Sequence, residues 1–376
     1  MSNKSKTKSG AKKTNSTDKT TYADPKVVPF AKSDGPSEVN AELTESVDTA
    51  KTKTKSDLKK RGVKGIKESN EPAAEASPPT LSAQTPKAIT APIRIFQIYF
   101  EPWQRELLDP VFYPLDNSKS TSELMEFAVF EQLQRNAVTQ GAELWGALSW
   151  RFSEKTGMKG ADWTKKIVDN PGHDVYFCNP YPVNEAVFHN MWLHGETAHP
   201  RFIEVVKEFF AAAGLDEKDM MCIEPSTVFS SANYFVATPK FWERFIPYVK
   251  KILVGANRGM RPALRDLMHS RLADDKQIHP GATYVPFIVE RLFPIFMRTE
   301  GKDLKGFRIS LPEREKELNV HLKLLREMKD VAHRTKSAWL AACWVNYRNL
   351  YLSQTQGNPW CEKYLRSVTP TEVWFS

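Results

Sequence analysis

The sequence predicts an α/β fold: a mixed sheet flanked by helices, preceded by a disordered N-terminal tail and followed by C-terminal helices. Three observations predict it. Short β-branched or aromatic runs alternate with segments of helical spacing from residue 93 onward. All 10 Trp lie after residue 100, whereas residues 1–90 hold only two aromatics, Tyr22 and Phe30. Those 90 residues are rich in Lys, Ser, Thr, Ala and Pro, so they lack the apolar surface to offset the entropy of ordering.

The first expected strand is residues 93–100 (IRIFQIYF), a buried β-branched and aromatic run. Residues 101–120 carry Pro110, Pro114 and Asp116-Asn117 and read as a loop. Residues 122–140 have helical spacing. Further strands are expected at 143–152, 174–178 and 233–237, with a helix at 163–169. Residues 183–192 and 201–213 read as two helices flanking a loop at 194–200. Residues 239–254 place Phe241, Trp242, Phe245, Ile246, Val249 and Ile252 on one face of a helix. Residues 284–297 form a strongly apolar helix containing Glu290-Arg291, and 311–351 are mostly helical. The expected organisation is a tail (1–90), a catalytic-type domain (91–305) and a helical extension packed on it (306–376).

Charge and motifs exclude several classes. Of the formal net charge of +8, most belongs to the tail, whose first 90 residues hold 17 basic and 11 acidic side chains. The tail's basic runs at 51–55 and 59–61 suit a solvated linker. Interspersed acids and the scarcity of aromatics argue against specific nucleic-acid binding. No apolar run approaches the roughly 18 residues needed to span a bilayer, and no signal-peptide core follows the basic N-terminus. A cytoplasmic location is expected, with contact at the inner face of the membrane left open by the amphipathic stretch at 314–334. Cys178, Cys222, Cys343 and Cys361 form no C-x-x-C pair and read as reduced, mostly buried thiols. There is no G-x-G-x-x-G, P-loop, G-x-S-x-G or H-E-x-x-H. His194, Glu196 and His199 are close in sequence, but a Gly/Pro loop does not fix zinc geometry.

Four segments, in order, resemble a known family. Residues 145–152 (WGALSWRF) resemble a family strand that ends in His-Tyr-Arg-Arg-Tyr. Residues 231–242 (SANYFVATPKFW) and 284–293 (YVPFIVERLF) resemble two later family segments, and the helical 123–136 occupies the place of a fourth. The family is that of the GT-A-like capsular and lipopolysaccharide-synthesis glycosyltransferase domains, and the resemblance covers residues 93–300. Here Ser149-Trp150-Arg151-Phe152 replaces the family's strand end, so its His and one Arg are absent.

The resemblance implies transfer of a sugar from a nucleotide-sugar donor to a surface-polysaccharide or lipid-linked glycan acceptor. The alternative is a non-catalytic glycan-binding scaffold of the same fold. A divalent Mn2+ or Mg2+ is implied by most such folds, but there is no Asp-x-Asp; Asp274-Asp275 is adjacent rather than spaced. Positive side chains must then neutralise the diphosphate, with Arg151 and Arg291 as candidates. Either Arg is as readily a structural partner. A carboxylate base is needed on the acceptor hydroxyl, from Glu290, Asp116 or Glu196 in that order. Asn117, Trp150, Asn179, Tyr181 and Asn233 sit at expected strand ends and complete the candidate substrate contacts.

Overall fold

The computed structural model describes residues 80–81, 91–272, 281–366, 369–370 and 372–376. The rest of the expected tail, and Asp274-Asp275, lie outside the described residues. The described strands are β1 (Thr80–Leu81), β2 (Ile93–Tyr99), β3 (Tyr113–Asp116), β4 (Leu144–Ser149), β5 (Val175–Phe177), β6 (Phe235–Ala237) and β7 (Gly306–Arg308). The helices of the first half are α1 (Glu126–Gln134), α2 (Phe152–Thr156), α3 (Gly160–Asp169), α4 (Pro182–Val187), α5 (Met191–Ala198), α6 (Phe202–Ala213) and α7 (Glu217–Met221). Those of the second half are α8 (Pro239–Gly259), α9 (Pro262–Met268), α10 (Val285–Glu290), α11 (Leu292–Arg298), α12 (Pro312–Glu315), α13 (Val320–Thr335), α14 (Ala338–Gln356) and α15 (Asn358–Cys361).

The described strands form one sheet in the order β1-β3-β2-β4-β6-β5-β7. β3, β2 and β4 are parallel, β6 runs antiparallel between β4 and β5, and β7 is parallel to β5. The class is α/β with a mixed sheet flanked by helices. β2 is buried along nearly its whole length, as a central strand covered on both faces must be. From β2 the chain first steps outward to β3 and then returns to β4 on β2's other side. In α/β sheets such a reversal marks the carboxyl ends of the flanking strands, here β2 and β4, as the place where ligands are received.

Apolar cores lie on the two faces of the sheet. One gathers α1, α6, α8, α10 and α11 around Phe130, Trp145, Phe235, Trp242 and Phe293. The other packs α2 and α3 through Phe152 and Trp163 against Leu148, Tyr176 and Tyr234. α8 is the main pillar. Thr238 caps it by accepting from the Phe241 amide, and Pro239 opens its first turn. Trp242 stacks on Trp145 at 4.5 Å and donates Nε1–H to the Trp145 carbonyl at 3.0 Å. α13 and α14 pack as a hairpin on α4 and the turn after it. Trp344 donates to the Ala186 carbonyl at 2.9 Å and Lys329 to the Phe188 carbonyl at 3.1 Å.

Gly146 is where β4 and β6 approach closest, and a Cβ there would meet the Phe235 carbonyl oxygen at 2.0 Å. The atoms it would meet are backbone, so relief requires the strands to part. Gly146→Ala is expected to cost about 3 kcal/mol, read as a lowered urea midpoint at unchanged m-value. A variant within a few tenths of wild type would show that the pairing of β4 with β6 is not under this constraint.

Several local expectations change. The loop expected at 101–120 holds a 3-10 turn, Pro102–Leu107, and the edge strand β3. The loop expected at 194–200 is mostly helix, because Asn190 caps α5 by accepting from the Leu193 amide. The apolar helix expected at 284–297 is interrupted at Arg291, between α10 and α11. β7 pairs with β5, so the sheet runs past residue 305 into the expected helical extension. Of the cysteines, Cys178 and Cys222 are buried, but Cys343 is exposed and Cys361 only half-buried. No helix among the described residues is long and apolar enough to cross a membrane.

Candidate active site

The candidate site lies around the carboxyl end of β4. β4 ends at Ser149, whose hydroxyl lies 2.9 Å from the Tyr234 hydroxyl at the start of β6. Directly after β4 come Trp150 and Arg151. Arg151 holds Glu154 with two bonds of 2.9 and 2.6 Å and lies 5.8 Å from the Trp150 ring centre. Trp150 meets the exposed Trp103 edge-on at 5.0 Å. One turn further, α2 carries Lys155.

Lys155 is the centre of the site. Its ammonium is held well above the usual lysine range by Tyr234 first, then by Tyr181, Glu126 and Glu290, against the opposing effect of burial. Among the described residues it makes no hydrogen bond and no ion pair within 4 Å, so no single group closes on it. Glu126 opens α1 and Glu290 ends α10, and these helices pack together. Burial raises both carboxyl pKa values. Glu290 reaches about 7, with Glu126 adding to the rise and Arg291 and Lys155 opposing it. Glu126 is raised by burial and lowered by Lys155 and by a hydrogen bond from Asn233. The Asn233 side chain is 5% exposed and its Oδ1 has no partner. A buried carboxyl raised by burial and by a neighbouring carboxylate, and facing a lysine, is able to exchange a proton near neutral pH.

The backbone marks the same place. Met125, immediately before Glu126, adopts φ 47° and ψ −119°. A non-glycine residue there costs on the order of 1–3 kcal/mol, a strain that clusters at functional sites.

The expected site residues divide accordingly. Glu290, Tyr181, Asn233 and Arg151 gather around Lys155, with Trp150 next to Arg151. Asp116 lies at the end of β3. It accepts from the Ser118 amide at 2.9 Å and bonds the Tyr99 hydroxyl, so it builds the turn there. Asn117 continues that turn, its amide donating to the Tyr99 carbonyl at 2.8 Å. Three expectations fail as substrate contacts. Asn179 is 1% exposed and fully engaged: its amide donates to the Tyr181 carbonyl and to Glu185, and its oxygen accepts from Ser231. Glu196 accepts from the Arg201 and Ile203 amides and so caps α6. Arg291 is buried, donates to the Met191 and Phe287 carbonyls and lies over the Phe202 ring; burial takes it down to about 10. It braces the break between α10 and α11 rather than reaching a ligand.

Two site residues escaped the sequence reading. Glu126 shares spacing with Phe130 and Leu133, so a carboxylate on an apolar stripe was its signal. Lys155 follows buried Phe152 by three positions on α2, again a charge near an apolar face.

The divalent metal implied by the resemblance does not fit these residues. Among the described residues no three His, Cys, Asp or Glu side chains are placed to hold a metal ion. Glu126 and Glu290 already face a lysine, which repels a second cation. His194 and His199 do not converge either: His194 bonds Asn184 at 3.1 Å and His199 stacks on Phe287 at 4.0 Å.

No protein-family model, no curated protein and no solved structure matches the chain.

Proposed function

We propose that the chain is a GT-A-like glycosyltransferase, moving a sugar from a nucleotide-sugar donor to a surface-polysaccharide or lipid-linked glycan acceptor. The observation that carries this reading is the Glu126–Lys155–Glu290 group, whose lysine lies on the helix that follows β4 of a mixed α/β sheet. Transfer by single displacement needs a base to take the acceptor hydroxyl proton and a cation to steady the departing diphosphate. Glu290, poised near 7, takes that proton as the hydroxyl oxygen attacks the anomeric carbon. The bond from that carbon to the diphosphate oxygen breaks, and the new negative charge falls to Lys155. Arg151 lies beside the same tyrosines and adds positive potential. The sheet, with β6 antiparallel among parallel strands, is of the kind the family resemblance implies.

A thermal-shift screen against UDP-, GDP-, CMP- and dTDP-sugars tests the reading. One donor class should raise Tm, since binding to the native state alone stabilises it. The rise should not require Mn2+, and Lys155→Met should remove it while leaving the circular dichroism unchanged. No shift with any donor would favour the glycan-binding scaffold instead.

A further inference from the structure

α14 is a surface helix without a charged outer face. Its 19 residues contain one charged side chain, Arg348, and that one is 1% exposed, bonded to Asn349 and the Val187 carbonyl. A helix packed on a domain by one face normally carries charge on the other. What α14 shows to solvent is Trp339, at 86% the most exposed large apolar side chain described, with Ala342, Cys343, Asn346 and Leu350, the last 54% exposed.

The spacing of these residues is informative. Trp339, Cys343, Asn346 and Leu350 follow one another at intervals of four, three and four residues. At 100° per residue they fall on a single narrow face, in the rhythm by which two helices interlock side chains along a seam. Among the described residues that seam has no partner. α13, the helix beside it, fills the other side of α14. His321 bonds the Tyr347 hydroxyl at 2.6 Å, and Asn319 bonds that of Tyr351 at 3.0 Å.

We propose that α14 is the interface of a two-fold symmetric dimer, paired antiparallel with α14 of a second copy. Charge selects this occupant. A two-fold contact lays a patch against its own copy, so a seam of one charge sign would meet like charge, whereas an uncharged seam meets none. An anionic membrane would instead call for Lys and Arg along the apolar face, and α14 presents none. The spacing of the seam, four, three and four residues, also reads the same in both directions about its midpoint. Antiparallel pairing sets Trp339 against Leu350 of the partner subunit, and Cys343 against Asn346 of the partner subunit. Small Ala342 and Cys343 near the axis let the backbones approach, and Trp339 at each end supplies the large desolvated anchor typical of interfaces. Asn346, one polar residue in the seam, fixes the register.

Sedimentation equilibrium of the full chain across a concentration series tests this. The expected mass is twice that of the chain. W339E should give the monomer mass, because each added carboxylate meets Leu350 of the partner subunit without compensation. Adding L350K to W339E should restore the dimer, since antiparallel pairing sets opposite charges face to face. Parallel pairing would set like charges together, and the double variant would stay monomeric. A short bis-maleimide should cross-link two chains through Cys343, which lies near the axis, in a C361S background, and C343S should abolish the cross-link. Trp339, Cys343 and Leu350 are exposed and Cys361 is half-buried, so folding is expected to persist in every variant, checked by unchanged circular dichroism. A wild-type chain monomeric at all concentrations, or a dimer indifferent to W339E, overturns the proposal.

Discussion

Glu290→Gln should reduce turnover of the donor that stabilises the protein by about 10²–10⁴-fold, with donor-induced Tm elevation retained. The substitution keeps the size of the side chain and removes only its capacity to take a proton. The pH profile carries the sharper signature. Wild-type turnover should rise through about pH 7, where burial and Glu126 have lifted the Glu290 carboxyl. Glu126→Gln deletes a neighbouring negative charge that raises this pKa, so the ascending limb should move to lower pH. Lys155→Met deletes a charge that lowers it, so any residual activity should rise at higher pH. The two shifts have opposite signs, which a general loss of structure would not produce. If the limb stays fixed in both variants, neither group is electrostatically joined to the base and the mechanism fails.

How much of this was legible in the sequence follows from how local the cause is. β2 and α8 were readable because their signals are continuous: an unbroken β-branched run, and six apolar residues on one helical face behind a capping Thr and a Pro. β3 and β7 were not. They have four and three residues, β3 contains Pro114, and they become strands only because β2 and β5 offer open edges. The same division holds at the site. Tyr181 and Arg151, just past strand carboxyl ends, and Asn233, at the start of a strand, were accessible to strand-end reasoning, since a strand's ends can be located from its own residues. Glu126 and Lys155 owe their chemistry to one another and to Glu290, and α1, α2 and α10 are brought together only by the finished sheet. Asn179 and Arg291 failed as candidates for the converse reason. Their residue types suit ligand binding, but burial and a full set of hydrogen bonds have already committed them.

Glu185→Ala should be the most destabilising single change outside the apolar cores. The Glu185 carboxyl is fully buried and joins three elements. It accepts from Asn179 after β5 at 2.8 Å, from Arg308 of β7, and lies 3.5 Å from Arg326 of α13. Removing it leaves two guanidinium groups facing a void, with an expected cost of about 3 kcal/mol by urea unfolding. That is the low end for a broken buried pair, because Arg308 and Arg326 keep 18% and 21% exposure and Arg326 retains Glu315 at 2.7 Å. Glu185→Gln should cost far less. Its amide can retain a contact with Asn179, and it ends the desolvation of a charge, which outweighs both arginines in raising the Glu185 pKa. The same burial acts on Glu224, which reaches about 7 although Arg298 lies 3.4 Å away. Between pH 4.5 and about 7 the native state therefore holds protons that the unfolded chain has released. Stability should fall as pH rises through that window and level off above it, and Glu185→Gln should flatten part of the slope. If Gln proves as costly as Ala, the negative charge at Glu185 is what holds β7 and α13 to the sheet, and the hydrogen bond to Asn179 is secondary.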